Sequence, residues 1–203
     1  INKELKNQVS EKGKFDKDAK VWKEPEKIAK TKEIEELHKG SKPKDEYTQE
    51  ILSSAILGAV KNNKTLLTAH KTESEEVERT GKLAKEITDA IKEHDSLTDT
   101  SARKAQADAI MSRVEGAKSI EDARRIAVQK ATSATKKLVD KLAETGEGLS
   151  LVHGATKKAA QQINNAHVAE TARRHAEKKH GGNMVKGFVD VLEALKGKSD
   201  GAK

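Results

Sequence analysis

Apolar and small residues recur along most of this chain at three- and four-residue steps, the spacing that gathers them on one face of a helix. Between Lys44 and His94 they fall at Leu52, Ala55, Ala59, Leu66, Val77, Ala84 and Ile91, with no proline and with only Gly58 and Gly81 as glycines. The steps stay regular if Asn63, His70 and Glu73 fill the missing places, which makes a heptad-like seam with polar interruptions. The pattern predicts one helix of about fifty residues, roughly 75 Å at 1.5 Å per residue. Its most apolar stretch, ILSSAILGAV at 51–60, falls short of the ~20 residues a bilayer span needs, so it reads as a buried seam.

A helix of that length needs partners, and the same periodicity supplies them. DSLTDTS, 95–101, is a turn rich in capping side chains. A second helical pattern follows to about Glu144, through Ala107, Ile110, Val114, Ile126, Ala127, Ala131, Ala134, Leu138 and Leu142. Within it, Ser119 and Asp122 have the spacing of a capping box and mark a potential break. TGEG, 145–148, closes this helix, and a third pattern runs from about Leu149 to Lys179, stopped by Gly181 and Gly182. NMVKGFVDVLEALKG then predicts a last amphipathic helix. Residues 1–43 read as short helices: Gly13 interrupts the first, Pro25 opens one running to about His38, and Gly40 and Pro43 end it. The expected fold is all-α: an elongated bundle of three long helices with coiled-coil-like seams and short helices at the ends. It is expected as one domain over 1–203, with 1–43 a cap, 44–148 a helical hairpin, and 149–203 the third helix and the terminal one.

Composition narrows this further. Only Phe15, Trp22, Tyr47 and Phe188 are aromatic, and 36% of residues are charged, which suits thin aliphatic seams better than a broad core. The net charge of +7 does not single out a nucleic-acid partner. Acidic and basic residues are mixed in every segment; even the most basic, 149–203, holds ten basic and five acidic side chains, and only seven of the 40 cations are arginine. Nucleic acid is therefore not expected as a partner. The absence of cysteine excludes disulfides and thiolate chemistry, and it fits either a reducing compartment or a secreted rod. Because the chain begins at Ile1, it is expected to be a processed product.

No catalytic or cofactor site is expected. GEGLSLVHG, 146–154, lacks the spacing of a nucleophile elbow, and GKS, 197–199, lacks the earlier glycine and the strand of a phosphate loop. No metal site is expected either. The seven histidines (His38, His70, His94, His153, His167, His175 and His180) never show the four-residue spacing that sets two ligands on one helical face. His70 reads as a polar spacer in the seam. Two places remain as candidates. ARRHAEKKH, 172–180, is the most basic run, and Arg173, Arg174, Lys178 and Lys179 form a candidate patch for an anionic ligand. Asn63-Lys64-Thr65 is a glycosylation sequon, with Asn63 the candidate acceptor.

The stretches ILSSAILGAV, SATKKLVDKLAE and GATKKAAQQINNAHVAETA, with the KSDGAK tail, resemble the glutamic acid/alanine-rich coat proteins of African trypanosomes, over roughly residues 44–180. The resemblance implies a non-enzymatic, glycolipid-anchored glycoprotein on the outer face of the plasma membrane, forming a protective or host- and vector-facing layer. It would be a monomer or weak homo-oligomer, its anchor attached at a C-terminus beyond this sequence. The chain departs from the related variant surface glycoproteins in having no cysteine, and glutamate does not exceed lysine. Lysine-rich helical surface lipoproteins of spirochaetes share the style, so a bacterial lipoprotein adhesin is an alternative. An intracellular coiled-coil scaffold is another.

Overall fold

The computed structural model describes residues 15–16, 21–22 and 25–196. Eight helices and one small strand pair account for the regular structure among them. The helices are α1 (Pro25–Lys39), α2 (Asp45–Lys61), α3 (Lys64–Ala69), α4 (Lys71–Ser96), α5 (Thr100–Ser112), α6 (Ile120–Leu142), α7 (Gly146–Lys179) and α8 (Met184–Leu195). The strands β1 (Phe15–Asp16) and β2 (Val21–Trp22) pair antiparallel, with Phe15 opposite Trp22 and Asp16 opposite Val21. Two residues per strand are too few to produce a period-two signal, which is why the sequence pattern misses them. The break expected at Gly13 and the tail beyond Lys196 lie outside the described residues.

The continuous helix expected over 44–94 is interrupted twice. Asn62 ends α2, and Asn63 turns to an extended conformation (φ −121°, ψ 99°), where its side chain accepts the Leu66 N–H at 3.1 Å. An asparagine that fits a heptad as a spacer also offers its own oxygen to the backbone, and here that local bond wins. His70 makes the second break, at φ −121° and ψ 33°. The second long pattern also divides, at the anticipated place. Gly116 adopts φ +81°, and the Ser119 hydroxyl accepts the Asp122 N–H at 3.0 Å to start α6. The Asp122 carboxylate reaches back to the Lys118 N–H at 3.0 Å. Asp99 caps α5 in the same manner, accepting from Ala102 N–H at 2.8 Å. Each cap satisfies a backbone donor that the first helical turn leaves unpaired.

The chain divides into two compact units, one formed by 1–43 with 164–203 and the other by 44–163. One boundary falls at Pro43 and the other inside α7, which contributes to both units. In the 44–163 unit, α4 packs most extensively on α6. One cluster joins Ile56, Val60, Leu66, Val77, Leu138, Leu142 and Val152. A second joins Ile87, Ile91, Ile110, Val114, Ala123 and Ala127. Alanines at 123, 127, 131 and 134 line the buried face of α6, so its neighbours approach closely and the seam is thin. The other unit is built on α1, the end of α7 and α8, around Ile34, Ala172 and Val191, with Val168, Phe188 and Leu195 packed against them.

Candidate functional site

Four of the seven histidines lie in the unit of α1, α7 and α8. The turn from α7 into α8 brings two of them together. Gly181 and Gly182 take φ +57° and +89°, and the Gly182 N–H bonds back to the Ala176 carbonyl at 2.9 Å. Such a left-handed ending suits glycine and closes the helix end. Asn183 then starts α8 by accepting the Lys186 N–H at 3.2 Å. Gly187 lets α8 lie on α7: a Cβ there would stand 2.5 Å from the Ala172 carbonyl oxygen and 2.8 Å from the Ala176 Cβ.

This close approach places Asp190 of α8 beside His175 and His180 of the α7 end. Its Oδ2 accepts from His175 Nε2 at 2.9 Å and from His180 Nε2 at 2.7 Å. Its Oδ1 pairs with the Lys30 ammonium of α1 at 2.7 Å. Burial opposes ionisation of Asp190, yet the hydrogen bonds from Lys30, His180 and His175 outweigh it and hold the carboxyl well below the usual carboxylate range. The carboxylate is thus an anion shared among three donors. His175 is 1% exposed, and its Nδ1 has no hydrogen-bond partner among the described residues. His175, His180 and Asp190 each offer one ligand-type atom, and these atoms lie within 4.8 Å of one another. Helical-face spacing misses this group because His180 stands at the end of α7 and Asp190 arrives from another helix.

The other two, His38 of α1 and His167 of α7, form a second cluster. His38 and His167 stack with ring centroids 3.6 Å apart and planes 10° from parallel. His167 Nε2 donates to the His38 carbonyl at 2.6 Å. The Thr171 hydroxyl donates to the His167 carbonyl at 2.9 Å and accepts from His38 Nδ1 at 2.7 Å. These contacts tie the end of α1 to α7.

The candidate anionic patch is occupied by carboxylates of the same chain. Arg173 pairs with Glu170 and Glu177, each at 2.7 Å. Arg174 pairs with Glu170 at 2.9 Å and donates to the Gly40 carbonyl at 3.0 Å. Lys178 and Lys179 share Glu33 at 2.8 and 3.5 Å. Hydrogen bonds from Arg173 and Arg174 lower the Glu170 carboxyl to about 2 against desolvation. An anionic ligand at these four cations has three carboxylates to displace. Asn63, the candidate glycosylation site, has its carbonyl oxygen engaged as a helix cap and its amide nitrogen donating to Glu147 at 2.9 Å.

The 44–163 unit holds a concavity that its composition did not foretell: a groove of about 1050 Å³ along α2, α4 and α6. Small residues make it, among them Ser53, Ser54 and Ala84, and Gly81, where a Cβ would meet nothing within 4 Å. Tyr47 stands at its rim, 45% exposed. No described helix is long and apolar enough to cross a membrane. No protein-family model, curated protein or solved structure matches this chain.

Proposed function

We propose that this chain is a non-enzymatic surface protein, a helical coat or host- and vector-facing layer of the kind the trypanosome resemblance implies. An elongated bundle and a C-terminal lipid anchor belong to the same proposal. The observation that supports it best is the disposition of charge. The strongest cationic run is largely compensated within the chain, its four cations paired with Glu33, Glu170 and Glu177, which favours a hydrated, self-compensated exterior over a footprint for a polyanion. Such an exterior, on helices joined by thin alanine seams, suits dense packing of many copies without sticking.

The test is made on the native source. Release of the protein from intact cells by a phospholipase specific for glycolipid anchors, with a glycolipid in the intact mass, is the expected result. A bare polypeptide found only inside cells overturns it.

The groove beside Tyr47 favours a second reading, an intracellular scaffold that takes a partner helix between α2 and α4. A dimer that forms with rising concentration in sedimentation equilibrium, and that Tyr47→Ala weakens, would favour it. A strict monomer would count against it.

A further inference from the structure

We propose that His175, His180 and Asp190 bind one late first-row divalent metal ion of the zinc class. Two imidazoles and a carboxylate are borderline ligands of the type that suits Zn²⁺, Co²⁺ or Ni²⁺; hard Mg²⁺ and Ca²⁺ prefer all-oxygen sets, and the chain has no cysteine for a soft ion. With ligand bonds of about 2.0–2.2 Å, the donor atoms around a tetrahedral ion stand roughly 3.3 Å apart. Here Asp190 Oδ2 is 2.9 Å from one imidazole nitrogen and 2.7 Å from the other. Those two edges need to open by about half an ångström, and the two imidazoles, which with the carboxylate keep their ligand atoms within 4.8 Å of one another, adjust to the same spacing as the ion enters. His180, 23% exposed, stands where the helix ends, whereas His175 is held by burial.

The protons balance by exchange with water, one released and one taken up per ring. In the metal-free cluster both Nε2 atoms carry the hydrogens given to Asp190. When the ion takes Nε2, each ring releases its Nε2 hydrogen to water and takes one up at Nδ1, which at the buried His175 requires the ring to open transiently to solvent. At His175 that nitrogen is the buried one with no partner, so no protein donor occupies the lone pair that must receive the hydrogen. The resulting N–H has no acceptor, which sets the affinity below that of a closed four-ligand site, where the second nitrogen is normally hydrogen-bonded. Lys30 is 46% exposed and can withdraw its ammonium to water as the ion arrives. With three protein ligands and a partly exposed edge at His180, water completes the shell, as in ions that keep an open position.

The experiment uses the full chain, stripped with a chelator and titrated with Co²⁺. The expected result is a visible d–d absorption that saturates at one equivalent and is abolished by Zn²⁺. In the ¹⁵N-labelled chain, Zn²⁺ shifts the imidazole nitrogens of His175 and His180, and leaves those of His70 and His153 in place. His180→Ala, with its helical circular dichroism retained, lowers the affinity by at least the ~10–100-fold that loss of even an outer-shell partner costs. If His180→Ala fails to fold, the imidazole shifts of the unaltered chain decide. No d–d band, equal affinity in folded His180→Ala, or shifts that bypass His175 and His180 would overturn the site.

Discussion

Gly187 lies so close to Ala176 that a Cβ at Gly187 would fall 2.8 Å from the Ala176 Cβ, and 2.5 Å from the Ala172 carbonyl oxygen. No flexible side chain stands there to yield; the obstacle is the α7 backbone. This contact sets the distance between α7 and α8, and therefore the distance from Asp190 to His175 and His180.

Gly187→Ala is therefore expected to destabilise the α1–α7–α8 unit. Helix propensity favours the alanine by about 1 kcal/mol, but overpacking against a backbone costs about 1–3 kcal/mol and prevails. Hydrogen exchange should show faster exchange of the α8 amides, with those of α4 and α6 unchanged. Unchanged protection in α8 would refute the close packing.

Leu138→Ala tests the other unit. Leu138 is fully buried in the cluster with Ile56, Val60 and Leu142, and its truncation should cost about 2–5 kcal/mol. Val189→Ala, at a side chain 52% exposed, should cost no more than about 0.5 kcal/mol. Urea unfolding midpoints of the two variants provide the comparison.

Asn63→Ala removes both the α3 cap and the bond to Glu147, and the expected loss is about 1 kcal/mol. Asn63→Asp keeps the capping oxygen but sets a carboxylate against Glu147, so it should recover the cap without the cross-contact. Thermal unfolding of the three proteins orders them, and an alanine variant as stable as the parent would show that the cap contributes nothing.

Glu170 predicts a pH dependence with a definite sign. Its carboxyl is lowered to about 2 by Arg173 and Arg174, so the folded chain holds the anion more strongly than the unfolded one. The contribution is complete above the unfolded value near 4.5 and is lost as pH falls toward 2. The side chain is 35% exposed, so screening limits the effect to about 1 kcal/mol or less. The stability difference between the parent and Glu170→Gln should accordingly be greatest near neutrality and shrink between these two pH values. A difference independent of pH would exclude the ion pairs as its cause.

The helical class, the start of α1 at Pro25, the cap at Ser119 and the stop at Gly181-Gly182 were legible because each is a local property of a few residues: a fixed φ, a hydroxyl within reach of a backbone N–H, a left-handed turn. The breaks at Asn63 and His70 were not. There the same residue satisfies a continuing seam or a new helix start, and only the packed neighbours choose between them. The sequence by itself also determined that charge is interspersed along every segment and that aliphatic side chains must do the packing. Which cation meets which carboxylate was decided by the tertiary structure, as Lys178 and Glu33, 145 positions apart, illustrate. The tertiary structure also made the His175, His180 and Asp190 cluster. Its ligands come from a helix end and from the next helix, and the glycine that permits their approach carries no chemistry of its own. Periodicity reports which residues share a face of one helix; distances between helices follow from what fits between their backbones.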